Sequence, residues 1–122
     1  TSYAPYSNFN VGAAVLLENG EIIQGSNQEN AAYPSGICAE RTALFYAGAS
    51  RPDKAVVKIA IAAGQHGELV ASPVTPCGAC RQVMAQYQAK GGKPMEVILI
   101  GSAKIWKFAK INDILPFIFD SI

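Results

Sequence analysis

The chain has 122 residues, of which 50% are hydrophobic and 16% are charged, and its formal net charge is +1. This length predicts a single domain over residues 1–122 with a real hydrophobic core. No two Lys or Arg residues are adjacent, which argues against nucleic acid as a partner because nucleic-acid binders usually carry a basic stripe. No apolar run approaches the roughly 20 residues that span a bilayer, so no membrane partner is expected.

Cysteine usage indicates the compartment. The three cysteines cannot all pair within one chain, and no secretory signal peptide opens the sequence. Both features predict a reducing, cytoplasmic location, where cysteine patterns are more often metal-binding or catalytic than structural. The chain begins at Thr1 without Met, so we expect a preceding segment to be missing.

The residue pattern predicts seven regular elements in the order β-β-α-β-α-β-β. Asn19-Gly20 is a two-residue turn signal within a β-hairpin, and the polar stretch 26–37 is predicted to be a loop. A Pro-rich stretch, 72–76, blocks helix formation before the second helix. The predicted ranges are a hairpin over 9–25, helices over 38–48 and 78–89, strands over 56–63, 95–100 and 103–109, and an apolar tail over 111–122 that can hold one short helix.

The two predicted helices act as crossover connections in this order of elements. Such connections place the strands 56–63 and 95–100 parallel in one sheet. They also place the cysteines at helix N-termini, where free N–H groups and the helix dipole stabilise thiolates.

All three cysteines fall into one short pattern with an acid. Cys77 and Cys80 alone also fit a redox pair, Cys38 alone fits a buried small side chain, and Glu40 alone fits a first-turn acid. Together, three thiolates leave one position open on a tetrahedral zinc ion, which is typical of catalytic zinc. Glu40, two residues after Cys38, then supplies a carboxylate for proton transfer.

Specific motifs carry a family resemblance over nearly the whole chain, from residues 3–7 (YAPYS) to 115–116 (LP). They are NQENAAYP at 27–34, CAER at 38–41 and PCGACRQ at 76–82, and they match the general zinc-deaminase pattern. The sequence closely resembles the small cytidine deaminases that use three cysteine ligands. The resemblance implies zinc-dependent hydrolytic deamination of cytidine and 2′-deoxycytidine in pyrimidine salvage. It also implies an α/β fold, a three-layer α/β/α sandwich around a mixed five-stranded sheet, and a homotetramer with shared active sites. This family usually begins with an extra helix before Tyr3, which we expect to belong to the missing segment.

The resemblance also implies roles for individual residues. Cys38, Cys77 and Cys80 look like the ligands of one Zn²⁺ per chain, and Glu40 looks like the proton shuttle. The residues similar to the family's substrate contacts are Phe9, Asn27, Glu29, Ala39 and, from a neighbouring subunit, Phe119, with Phe117 as its competitor.

Charge supplies two further inferences. Three thiolates and Zn²⁺ sum to −1, so a nearby cation should withdraw charge from the sulfurs; Arg41 is our candidate and Arg81 is the alternative. Glu29 can accept a hydrogen bond from a ribose hydroxyl but would repel a phosphate, which favours a free nucleoside. The single histidine, His66, is expected to be a solvated turn residue.

Three other functions fit parts of the pattern. The chain could deaminate another aminopyrimidine compound such as a nucleoside antibiotic, although the Asn27 and Glu29 pair favours a ribose. A nucleic-acid-editing deaminase is opposed by the neutral charge. A non-catalytic zinc-binding interaction module is opposed by Glu40, since structural zinc normally has a fourth protein ligand and needs no acid.

Overall fold

Six strands form one mixed sheet with two α-helices in the computed structural model, which describes residues 1–120. The last two residues of the predicted tail, Ser121 and Ile122, lie outside the described residues. The strands are β1 (Asn10–Leu17), β2 (Ile22–Ser26), β3 (Val56–Gln65), β4 (Glu68–Leu69), β5 (Glu96–Ile100) and β6 (Ile105–Phe108). The helices are α1 (Ala39–Ser50) and α2 (Gly78–Gly91), with 3-10 turns at Tyr33–Ser35 and Ile111–Asp113.

The strand order is β2-β1-β3-β5-β6, and β4 pairs with β3 outside this path. Strands β3 and β5 are parallel, with Ile59 opposite Val97, and the other pairs are antiparallel. This pairing confirms the predicted parallel pair. The two strands run in the same direction because α2 carries the chain back to the end of the sheet at which β3 begins.

The hydrophobic core lies between one face of the sheet and both helices. Alternate residues of β1, such as Val15, are buried in the same hydrophobic cluster as Leu44 of α1 and Met84 of α2, as the two-residue period of a strand requires. The predicted α/β class with a mixed sheet is confirmed. The sheet gains β4 as a short sixth strand, and α1 and α2 pack on the same face, so among residues 1–120 no α-helix covers the opposite face.

The hairpin between β1 and β2 differs from the predicted two-residue turn. Leu17 and Glu21 still pair, because Leu17 N–H donates to the Glu21 carbonyl at 2.9 Å, and Gly20 N–H donates to the Leu17 carbonyl. Gly20 has a φ of +91°, whereas Asn19 stays at negative φ and accepts a hydrogen bond from Glu21 N–H through its side chain at 3.0 Å. The loop thus has three residues, in which only the glycine needs the left-handed region.

Both helices begin directly after a cysteine. Cys38 is the N-cap of α1 and Cys77 is the N-cap of α2, each with extended backbone. Helix α2 ends at Gly91 and is capped by Gly92, whose φ of +67° lets its N–H reach the Gln88 and Ala89 carbonyls. Within the part of the chain that the structure describes, neither helix has the length and apolarity needed to cross a membrane.

Candidate metal centre and active site

Three cysteine sulfurs converge where the N-termini of α1 and α2 meet. The Sγ atoms of Cys38, Cys77 and Cys80 all lie within 4.8 Å of one another. None forms a disulfide bond, and the residues range from exposed Cys77 through half-buried Cys38 to fully buried Cys80. The sheet order explains the convergence, because both helices start at the same end of the sheet and pack against each other.

The spacing of the three sulfurs fits a metal ion. Zinc bound tetrahedrally with Zn–S distances of about 2.3 Å requires sulfurs about 3.8 Å apart, which is compatible with three sulfurs that all lie within 4.8 Å of one another. Within residues 1–120 no His, Asp or Glu joins this group as a fourth donor. The donor set therefore suits one zinc ion with a coordination position left open.

The electrostatics of the cluster also require a cation. Burial raises the pKa of the Cys80 thiol, and the negative charges of Glu40 and Cys38 raise it further. Burial opposes ionisation of Cys77 too, but hydrogen bonds from the backbone N–H groups of Cys80 and Ala79 help to bring the pKa of the Cys77 thiol below its usual value. The helix N-terminus thus stabilises one thiolate, whereas three thiolates together need a divalent cation, so metal binding is coupled to thiol deprotonation.

Arg41 is the guanidinium beside these sulfurs. Its Nη2 donates a hydrogen bond to Cys38 Sγ at 3.4 Å, one helical turn away. This hydrogen bond, and a further one to Cys80, hold the pKa of Arg41 above its ordinary value despite partial burial. Its Nε is buried and, within the described residues, has no hydrogen-bond partner, so the side chain is oriented towards the sulfurs at some cost in desolvation.

Glu40 is the one buried charged residue among those described, with 4% of its surface exposed. It lies in the first turn of α1 and lines a cavity of about 580 Å³ together with Cys38 and Cys77. Within residues 1–120 it makes no ion pair. A cavity of this volume is of the size that binds small organic molecules, and here it opens directly onto a buried carboxylate and a metal-ligand cluster.

The sequence matches the family described as the cytidine and deoxycytidylate deaminase zinc-binding region over residues 1–92. The chain belongs to this family.

Individual relatives give the same assignment. A cytidine deaminase from Halalkalibacterium halodurans is 53% identical over 85 residues, which are 70% of this chain and 60% of that protein. One from Sporosarcina psychrophila is 47% identical over 94 residues, which are 77% of this chain and 64% of that protein. The match thus spans 60% and 64% of the length of these two curated relatives, which is less than two thirds. The crystal structure of cytidine deaminase from Burkholderia pseudomallei aligns with a TM-score of 0.82 and 41% identity, covering 98% of this chain and 88% of that one.

Other residues of the deaminase-family motifs line the same cavity. Asn27 and Glu29 face it from the segment after β2. Asn27 is also clamped to β1, because its Oδ1 accepts from Val11 N–H and its Nδ2 donates to the Phe9 carbonyl, both at 2.9 Å. One N–H and one lone pair of this amide stay free for a ligand.

Glu29 holds the turn formed by residues 5–7. One carboxylate oxygen accepts from the backbone N–H groups of Tyr6 and Ser7 at 2.9 and 3.2 Å, and the other accepts from the Ser7 hydroxyl. The Ser7 hydroxyl lowers the pKa of Glu29, and the two backbone N–H groups lower it further against the opposing effect of desolvation. The carboxylate is therefore ionised at neutral pH and fixed in direction at the mouth of the cavity.

The remaining predicted substrate residues occupy different positions. Ala39 is fully buried and lines the cavity. Phe9 is half-buried and does not line it. Phe117 and Phe119 are exposed and do not line it either.

Two polar residues considered in the sequence occupy other places. His66 is an exposed turn residue with a φ of +53°. Arg81, the alternative to Arg41 beside the sulfurs, donates its hydrogen bonds to two backbone carbonyls instead.

Sequence reasoning assigned no role to Tyr6, Ser7 or Tyr33, which also line the cavity. The Tyr6 and Tyr33 rings meet edge to face at 6.3 Å at its mouth. Ser7 contacts Glu29 across 22 residues of sequence. No local pattern reveals a contact of that range, although the resemblance in 3–7 placed this segment within the family motif.

Proposed function

We propose that this protein catalyses the hydrolytic deamination of cytidine and 2′-deoxycytidine to uridine and 2′-deoxyuridine with release of ammonia. The observation that carries the proposal is the convergence of three cysteine sulfurs and the buried Glu40 on one cavity of about 580 Å³. Membership of the deaminase family supports it, as do the relatives named cytidine deaminase.

The chain's own residues divide the work in this mechanism. Cys38, Cys77 and Cys80 would hold zinc, which when bound lowers the pKa of a water molecule to about 7. Glu40 accepts a proton from the attacking water as its oxygen bonds to C4 of the pyrimidine. Glu40 passes this proton to N3. It then takes the remaining proton from the new C4 hydroxyl and passes it to the 4-amino group, so that the C4–N4 bond breaks, ammonia leaves and the C4 oxygen becomes the carbonyl of the product. One carboxylate serves as both base and acid, because accepting the first proton makes it the donor for the next step.

Burial of Glu40 serves this role. A carboxylate with 4% exposure transfers its proton to the substrate and not to bulk solvent. The N-terminus of α1 holds it beside Cys38, so the acid and the metal ligand share one rigid helical turn. Arg41 would tune the centre by withdrawing negative charge from the Cys38 sulfur.

We assign the sugar-binding role to Asn27 and Glu29. The ionised Glu29 carboxylate accepts hydrogen bonds from ribose hydroxyls, and its negative charge disfavours a phosphate at the same place. The free N–H of Asn27 provides a second polar contact. The proposed substrate is therefore a free nucleoside. Ala39, which lines the cavity, is the proposed contact with the base. Phe9, from outside the cavity lining, and Phe119 are the proposed aromatic contacts.

Phe119 can take this role only in a neighbouring chain, because it is 67% exposed and absent from the cavity of its own chain. We therefore propose that the protein is a homotetramer with shared active sites. Each subunit forms one catalytic domain over residues 1–122. The three free thiols fit a reducing, cytoplasmic location.

An ultraviolet assay for loss of the 4-aminopyrimidine chromophore tests the function. Cytidine, deoxycytidine, cytosine and CMP are compared side by side with purified protein. The proposal predicts turnover of both nucleosides at rates far above those of cytosine and CMP. Failure to turn over either nucleoside with zinc bound would refute it, and preferential turnover of CMP would refute the role of Glu29.

A further inference from the structure

Arg81 joins two segments that are remote in sequence, at the start of α2. Its Nε donates a hydrogen bond to the Pro76 carbonyl at 2.9 Å, and its Nη1 donates to the Ile114 carbonyl at 2.8 Å. The residue directly follows Cys80 and, unlike Arg41, hydrogen-bonds to no cysteine sulfur among the described residues. A single guanidinium thus links the residue before the metal-ligating Cys77 with the C-terminal segment.

The Pro76 end of this bridge determines where Cys77 lies. Residues 72–76 form no helix or strand, and within residues 1–120 the bond from Arg81 Nε is the one hydrogen bond that their backbone makes. The Pro76 carbonyl belongs to the peptide plane that leads into Cys77, so its direction helps to set the direction of the Cys77 side chain. Cys77 is the exposed member of the three cysteines. The position of its sulfur therefore depends more on the direction of the backbone than on packing by neighbouring side chains.

The Ile114 end of the bridge belongs to a segment that α2 holds at several points. Gln88 accepts a hydrogen bond from Ile111 N–H at 3.0 Å and donates to Asn112 at 2.9 Å. Gln82 donates to the Phe119 carbonyl at 2.7 Å. Of these three α2 side chains, only Arg81 also hydrogen-bonds to the segment before Cys77 within residues 1–120. Arg81 is therefore the residue that connects the docked C-terminal segment, at Ile114, with the backbone that positions Cys77.

We propose that Arg81 is a positioning residue for the metal centre, which holds Cys77 in place by bridging the Pro76 and Ile114 carbonyls. As a consequence, metal binding and docking of the segment at Ile114 stabilise each other. The proposal rests on the metal site of the proposed function and adds to it a residue that contacts neither metal nor substrate. Residues that orient metal ligands typically change metal affinity by about 10-fold to 100-fold.

The test is zinc affinity, measured by competition with a chromophoric chelator at fixed pH. Arg81→Ala removes the bridge, and Arg81→Lys keeps the charge but lacks the planar fork that reaches two carbonyls. Gln82→Ala is the matched control, because it removes only the bond to Phe119 and leaves the Arg81 bonds to Pro76 and Ile114 in place. We expect both Arg81 variants to bind zinc about 10-fold to 100-fold more weakly than wild type, and Gln82→Ala to stay within about twofold.

If the wild-type protein binds zinc normally, any of three results would overturn the proposal. Arg81→Ala could keep wild-type affinity. Arg81→Lys could restore it, which would assign the effect to charge alone. Gln82→Ala could lose as much as Arg81→Ala, which would assign the effect to the tail alone. A wild-type protein that binds no zinc would instead refute the proposed function and this inference with it.

If the Arg81 variants fail to fold, amide hydrogen exchange of the wild-type protein, measured with and without zinc, tests the same coupling. Coupling is reciprocal, so zinc should slow exchange of the Ile114 and Leu115 amides, which bond to the Ile111 carbonyl, by a factor similar to the loss in affinity. Strands β1 and β2, which hydrogen-bond to neither end of the bridge, report the general effect of zinc on the fold. Equal slowing in both regions would overturn the proposal.

Discussion

Replacing Gly25 by alanine tests whether the close approach of α1 to β2 sets the position of the metal centre. A Cβ atom at Gly25 would lie 2.6 Å from Ala43 N and 2.9 Å from the Ala39 carbonyl oxygen. Both contacts are backbone atoms of α1, so no side chain can rotate away. Since ordinary contacts of carbon atoms begin near 3.5 Å, α1 must move outward from the sheet by about 1 Å.

This displacement should lower kcat strongly while it lowers the free energy of unfolding only moderately. Overpacking of this kind costs about 1–3 kcal/mol of the free energy of unfolding. Cys38 and Glu40 flank Ala39 at the start of α1, so both move with it. A misplacement of about 1 Å can lower the rate about 100-fold, so we expect kcat for cytidine to fall by one to two orders of magnitude.

Gly12→Ala is the matched control. Gly12 lies on β1 beside β2, opposite Ser26, and an added Cβ there meets nothing within 4 Å. Its free energy of unfolding should change by no more than about 0.5 kcal/mol, with kcat unchanged. Urea unfolding and the ultraviolet assay measure both quantities, and equal stability and kcat for the Gly25→Ala and Gly12→Ala proteins would refute the reasoning.

Three further substitutions test the site. Glu40→Gln should keep zinc, measured by elemental analysis, and lose at least about 100-fold in kcat; near-normal turnover would remove Glu40 from proton transfer. Glu29→Ala should raise KM for nucleosides about 10-fold to 100-fold, as expected for a hydrogen bond to a charged group, and leave cytosine turnover unchanged, so an equal loss on both substrates argues against a ribose contact. Arg41→Ala should retain zinc with kcat lowered about 10-fold to 100-fold, and unchanged kcat would show that the Cys38 sulfur needs no neighbouring cation.

The elements with strong local signals were predictable from the sequence. The parallel pairing of β3 with β5 followed from two crossover helices, and both helices began within one residue of the predicted start. Helix α2 ended two residues beyond the predicted range, because Gly91 still belongs to the helix and Gly92 caps it. The hairpin was predicted, but its loop length was wrong because Asn19 uses its side chain to cap the turn and avoids positive φ.

The metal cluster was predictable because its chemistry leaves a short pattern in the sequence. The hydrogen bonds of Asn27 and Glu29 were not, since they depend on where Val11 and Ser7 lie after folding. The role of Arg81 was missed for the same reason. A guanidinium beside a cysteine in sequence suggested a contact with sulfur, whereas the helix turns it towards two carbonyls.

Zinc content matched to activity tests the central idea most directly, namely that Cys38, Cys77 and Cys80 jointly hold one catalytic ion. Elemental analysis of purified protein is compared with cytidine turnover before and after chelation, and after zinc is restored. We predict about one zinc per chain, with activity that falls with the metal and returns with it. Full turnover by protein stripped of metal would contradict the account.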